Sequence, residues 1–216
     1  MHAYKKNRIC NQRGFTLLEL LIVIAIMAIL SVILIIVINP AETLKKSRDA
    51  QRISDLNTLK TAIGIYTTST TSPSLGPNCA AAGVISSARV SYSLPGSSMT
   101  GTPAGTAGPS QVLAANLTKV DGSGWIPIGF STLTGGSPIA SLPVDPINTT
   151  ANTTATSTDL VYRYICNSDK TYELAATLES TTYTTGTTNK LTNAPYYQVG
   201  TNMTLFPTTG AHSVDY

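Results

Sequence analysis

The stretch FTLLELLIVIAIMAILSVILIIVI, residues 15–38, decides the fold. It runs for 24 residues and carries a single charge, Glu19. At a rise of about 1.5 Å per residue it makes roughly 36 Å of helix, enough to cross a hydrocarbon core of about 30 Å with some tilt. A carboxylate at the centre of such a span costs on the order of 2.5–3.5 kcal/mol on insertion scales, so Glu19 calls for a cationic partner within the lipid. A plainer role is also open from its place as fifth residue of the run: a side chain near enough to the interface to reach water.

On the N-terminal side, residues 1–14 hold Lys5, Lys6, Arg8 and Arg13 with no acid and end in Gly14. This basic flank keeps the N-terminus cytoplasmic by the positive-inside rule and sends everything after Asn39 to the outer face. A secretory signal peptide also begins basic and then apolar, but its apolar region is about 7–15 residues and closes with small residues. Here the run is longer and closes with Asn39, Pro40, Ala41 and Glu42, so the helix is expected to stay on the mature chain.

On the C-terminal side, Asn39 and Pro40 interrupt the pattern, and a kink or a locally melted turn is expected near residues 36–40. Beyond it the chain turns amphipathic: Leu44, Ile53, Leu56, Leu59, Ile63 and Tyr66 recur mostly at spacings of three and four. Lys45, Lys46, Arg48, Asp49, Arg52 and Asp55 fill the other positions and read either as a solvated face or as charges matched to another subunit. Residues 15–67 are thus expected to form one long kinked helix, spanning the membrane over 15–38 and amphipathic over 41–67.

From about Thr68 to Tyr216 the composition shifts to Thr, Ser, Gly, Asn and Pro, the signature of a loop-rich extracytoplasmic head over 68–216. LVYRYIC, residues 160–166, and YELAATLE, residues 172–179, read as a β-hairpin around the turn NSDKT, with YYQV as a third strand. Three or four antiparallel strands need a cover on one face, and the amphipathic half-helix is the available element. The expected fold is α+β. QVLAANLTKV, residues 111–120, suggests a short helix, Trp125 a core anchor, and LPVDP, residues 142–146, a turn leading into a long loop through TTANTTATST.

GFTLLELLIVIAIMAIL, residues 14–30, resembles the N-terminal signature of type IV pilins and of the pseudopilins of type II secretion and DNA-uptake systems. The likeness extends through KKSRDAQRISDLNTLKTAIGIY, residues 45–66, and resumes weakly in LPVDP and VYRYICNSDKTYELAATLE. It implies that residues 1–14 are a leader, cut between Gly14 and Phe15 by a prepilin peptidase that then methylates the new amine of Phe15. It also implies that Glu19 pairs with the N-terminal amine of an adjacent subunit, which supplies the missing cation. Further implied partners are copies of the chain in a helical filament, an inner-membrane platform protein, an assembly ATPase, and the membrane itself before assembly. A buried pair of this kind acts as a register setter, since removing one partner strands the other at about 3–5 kcal/mol.

With such a cleavage Cys10 leaves with the leader, and Cys79 and Cys166 remain on the oxidising side, either bridged or as two buried thiols. The leader takes four of the fourteen basic residues, leaving ten against eleven acids, a mature net charge of about −1. A basic nucleic-acid-binding surface is therefore not implied outside a DNA-uptake role. His2 and His212 are the two histidines, so no histidine-based metal constellation is expected in the mature head, and no catalytic or cofactor motif stands out. Asp145 and Asp159 are candidate calcium ligands by their place in and after the LPVDP turn, but a glycine- and aspartate-rich loop to complete such a site is missing, so no metal is expected. Asn116, Asn148, Asn152 and Asn202 begin Asn-x-Thr triplets, a weak signal for glycosylation in so Thr-rich a chain. Three readings of the whole stay open: a pilus-like filament subunit, a pseudopilin of secretion or DNA uptake, and a monomeric membrane-tethered adhesin or binding domain.

Overall fold

A computed structural model describes residues 14–77, 79, 91–94, 112–148, 159–184, 192–193, 196–203 and 205–206. The chain divides into two compact units, one reaching to Thr43 and the other spanning Leu44–Tyr216. Helix α1, Leu17–Ile38, forms from unbroken apolar sequence, and none of its residues is buried. Its one polar residue beyond the first turn, Ser31, returns its hydroxyl to the Met27 carbonyl at 2.7 Å, so no bare donor faces outward. At Asn39 the backbone turns left-handed (φ 44°, ψ 75°), a conformation asparagine tolerates better than most residues. Pro40 then opens α2, Pro40–Ser69, as its first residue, where a missing N–H costs nothing. The interruption at the proline is thus a helix end followed by a helix start.

The second unit packs α2 against a five-stranded antiparallel sheet ordered β1-β2-β3-β5-β4. Its strands are β1 (Ser91–Tyr92), β2 (Tyr162–Cys166), β3 (Tyr172–Thr177), β4 (Thr192–Asn193) and β5 (Tyr196–Gly200). The β2–β3 hairpin pairs Tyr162 with Ala176 through Cys166 with Tyr172, and Lys170 takes a left-handed φ of 67° in its turn. Sequence patterning located β2, β3 and β5. The two-residue strands β1 and β4 carry too little periodicity to be read. Within QVLAANLTKV, whose Gln111 lies outside the described residues, the short helix expected there is a single 3-10 turn at Ala114–Asn116. The TTANTTATST loop and Asn152 lie outside the described residues.

Period-two alternation divides the sheet into two buried faces. Tyr162, Tyr164, Cys166, Tyr172, Leu174, Ala176 and Val199 join Leu56, Leu59, Ile63 and Tyr66 of α2 in the larger core. Trp125 belongs to this core with no exposed surface, and its indole Nε1 donates to the Pro143 carbonyl at 2.9 Å. Gly124 beside it is obligatory, because a Cβ there would run into the Lys119 carbonyl oxygen. Phe130 meets Tyr66 edge-on at 5.9 Å between ring centres. The opposite face is covered as well, by Tyr92, Leu94, Leu205 and Phe206 over Val161, Ile165 and Ala175. A sheet covered on one side was expected; every residue of β2 is buried instead, because the chain beyond β5 folds back across it.

Cys79 and Cys166 are joined as a disulfide that closes a loop of 87 residues and ties the segment after α2 to the end of β2. A loop of that length corresponds to about 4–5 kcal/mol of unfolded-state entropy in the chain-entropy model. Reduction, or Cys79→Ser, is expected to lower head stability by about 2–5 kcal/mol, read as a fall in the urea midpoint with a steeper slope, because the unfolded chain without the cross-link exposes more surface. An unmoved midpoint would mean that the loop is held by other contacts.

Candidate functional site

The N-terminal end of α1 gathers the residues singled out by sequence. Gly14 and Phe15 precede the helix, and Phe15 is 90% exposed. A Cβ at Gly14 would meet nothing within 4 Å, so packing makes no demand for glycine there. Thr16 is the N-cap, in extended conformation, and Glu19 is the third helical residue. The Thr16 hydroxyl accepts the Glu19 N–H at 3.2 Å, while Glu19 Oε2 accepts the Thr16 N–H at 3.0 Å and the Thr16 hydroxyl at 2.9 Å. This reciprocal box satisfies helix-end donors and sets an anion against the positive end of the helix dipole. Within the single chain, Thr16 is thus the hydrogen-bond partner of Glu19. The T-x-x-E spacing of Thr16 and Glu19 carried that signal in the sequence.

A second constellation lies in the head. Asp49 and Arg52 were assigned to a polar outer face of α2, but both are fully buried, whereas Leu44, assigned to the apolar face, is exposed. Residues 49, 52, 56, 59, 63 and 66 alternate steps of three and four, so the two charges continue the core-facing stripe. Arg52 grips Asp145 through two parallel bonds, Nε at 2.7 Å and Nη2 at 2.9 Å. Its Nη1 reaches Asp49 at 2.8 Å and Glu179 at 2.7 Å. Glu179 is also held by Arg48, at 2.7 and 3.0 Å. Asp49 in turn accepts the backbone N–H groups of Glu179 and Ser180, and Asp145 those of Ile147 and Asn148.

Burial alone pulls the Arg52 guanidinium down, but Asp145, Glu179 and Asp49 together hold it above its ordinary value. Hydrogen bonding from Arg48, then from Arg52, lowers Glu179. One helical turn further on, burial raises Asp55 against the opposing bond from Tyr162, whose hydroxyl donates to it at 2.7 Å. Asp145, weighed as a metal ligand, therefore serves as the anchor for Arg52. Among the described residues no group of three or more His, Cys, Asp and Glu side chains is arranged to hold a metal ion. Asn148 is likewise committed, accepting from the Ser93 hydroxyl and donating to the Ser93 carbonyl.

α1 is 22 residues long and holds an 18-residue stretch with a mean hydropathy of 3.6, so it is long and apolar enough to cross a membrane. The family model for the prokaryotic N-terminal methylation motif matches residues 9–35, which include Gly14, Phe15, the Thr16–Glu19 box and most of α1. The chain carries the type IV pilin and pseudopilin signature. Comparison with curated proteins and with solved structures gave no match. The pilin signature and the apolar helix support a pilin-like or pseudopilin subunit anchored in the membrane before assembly, processed by a prepilin peptidase and handled by filament assembly machinery. Such a signature points to a structural subunit.

Proposed function

We propose that this chain is the structural subunit of a type IV pilus-like filament, assembled through α1. The observation that carries the reading is the methylation motif lying on a helix none of whose residues is buried within its own chain. In this reading the basic end stays cytoplasmic, the peptidase cuts between Gly14 and Phe15, and Phe15 receives the methyl group. Gly14 suits that role, since the fold itself places nothing against it. A platform protein and an assembly ATPase then lift the subunit from the bilayer, and α1 exchanges lipid for neighbouring helices. Glu19 passes from its bonds with Thr16 to the Phe15 amine of an adjacent subunit, and the head follows to the cell surface. The Cys79–Cys166 disulfide suits a head on the oxidising side.

The test is mass spectrometry of fibres sheared from cells. The expected result is a dominant subunit that begins at a methylated Phe15, and loss of both fibres and processing in Gly14→Val. A full-length chain confined to the membrane would overturn the reading. The same signature serves pseudopilins; finding the processed subunit only in the cell envelope, with protein secretion or DNA uptake lost on its deletion, would assign it there.

A further inference from the structure

The outer face of the sheet buries a carboxylate that the ion network does not use. Glu173 lies on β3 with no exposed surface. Its Oε2 accepts the Phe206 N–H at 2.8 Å, and its Oε1 has no hydrogen-bond partner among the described residues. Leu205 and Phe206 are themselves buried in the apolar cluster with Tyr92, Ile165 and Ala175. One carboxylate oxygen thus holds the backbone of the segment that covers the face, while the other is buried beneath it without a partner among the described residues.

The charged and polar groups of the same face do not neutralise it. Register sets Arg163 of β2 and Gln198 of β5 on either side of Ala175, one step along β3 from Glu173. The Arg163 guanidinium points the other way, donating to the Val161 and Asp159 carbonyls and to Thr177 Oγ1. Across from Glu173 itself stand Ile165 of β2 and Gly200 of β5, and Tyr92 of β1 lies beyond Arg163. Asp159 precedes β2 at the Arg163 end, and the covering residues Leu205 and Phe206 bring no titratable side chain. A buried carboxylate with no cation beside it among the described residues favours its protonated form, because desolvation outweighs the backbone N–H donors that favour the anion.

We propose that Glu173 is a proton-controlled latch for the segment after β5: protonated, it keeps Leu205 and Phe206 seated on the outer sheet face, and ionised, it releases them so that water reaches the charge. Burial pushes this carboxyl from 4.5 up to about 7, against the pull of the Phe206 and Leu205 N–H groups. Because the seated state holds the proton more tightly than the open state, seating is strongest below pH ~4.5. It weakens by up to about tenfold per pH unit towards pH ~7, and is level above that. Release would uncover the apolar surface of Tyr92, Ile165 and Ala175, so the device controls access to one face of the head.

Hydrogen exchange on the full chain in detergent micelles, followed by mass spectrometry and corrected for intrinsic exchange, tests this between pH ~5 and ~8. Protection of the peptide carrying Phe206 is expected to fall about tenfold per pH unit up to pH ~7, while the β3 amide of Leu174 keeps its protection. Glu173→Gln, which still accepts the Phe206 N–H but cannot ionise, is expected to give a flat profile. A flat profile in the unmodified chain, or an unchanged slope in Glu173→Gln, would overturn the latch. The unmodified chain decides the matter alone if the variant does not fold.

Discussion

Arg52→Met is expected to lower the stability of the head by about 3–5 kcal/mol, because it leaves two buried carboxylates, Asp49 and Asp145, without their cation. For a unit of this size that is a fall of about 6–20 °C in the unfolding temperature, measurable by circular dichroism of the detergent-solubilised chain. Methionine fills much of the volume, so the loss reports charge and hydrogen bonding more than a cavity. Arg52→Lys is expected to restore little of it, since one ammonium cannot reproduce the paired bonds to Asp145 together with those to Asp49 and Glu179. Arg48→Met removes a partly exposed partner of Glu179 and should cost about 1 kcal/mol or less. Equal effects for Arg48→Met and Arg52→Met would refute the ordering by burial.

The network also carries a pH signature. Glu179 is lowered in the folded state, so its contribution is present above its ordinary titration range and is lost as pH falls through its depressed folded value. That sign is opposite to the one derived for Glu173, whose seated form is favoured by acid. Acid below pH ~4 should therefore weaken the attachment of α2 to the end of β3 while leaving the outer-face segment seated.

Glu19→Val is expected to leave membrane insertion and cleavage after Gly14 intact while reducing incorporation into sheared fibres by about a hundredfold or more. An anion that lipid tolerates only at about 2.5–3.5 kcal/mol, and whose loss strands a neighbouring amine at about 3–5 kcal/mol, leaves room for an effect of that size. The box with Thr16 raises a competing explanation, that valine merely uncaps α1, worth about 0.5–2 kcal/mol. Glu19→Gln separates the two. Glutamine keeps the bond from Thr16 and so keeps the cap, but it has no charge to offer an amine. Incorporation lost in both variants supports the ion pair; normal incorporation of Glu19→Gln would sink it. Quantifying mutant against wild-type subunits in fibres from co-expressing cells gives the ratio directly.

Residues close in sequence settled what the sequence determined by itself. An apolar run with one acid, a T-x-x-E box, the Asn39–Pro40 break and a β-branched, aromatic hairpin are local patterns whose physics is complete within a few residues. α1, its interruption, β2, β3 and the burial of Trp125 were therefore legible, and the methylation motif that contains Gly14, Phe15 and Glu19 is equally local. The tertiary structure alone decided which charges are inside. Asp49 and Arg52 look like surface residues of any amphipathic helix until Asp145, 93 positions from Arg52, and Glu179, 127 positions away, arrive to satisfy them. Glu173 likewise looks like a solvent-facing strand residue until Leu205 and Phe206 cover it. A charge is tolerated in a core only when distant groups meet it there, and no local pattern records which distant groups those will be.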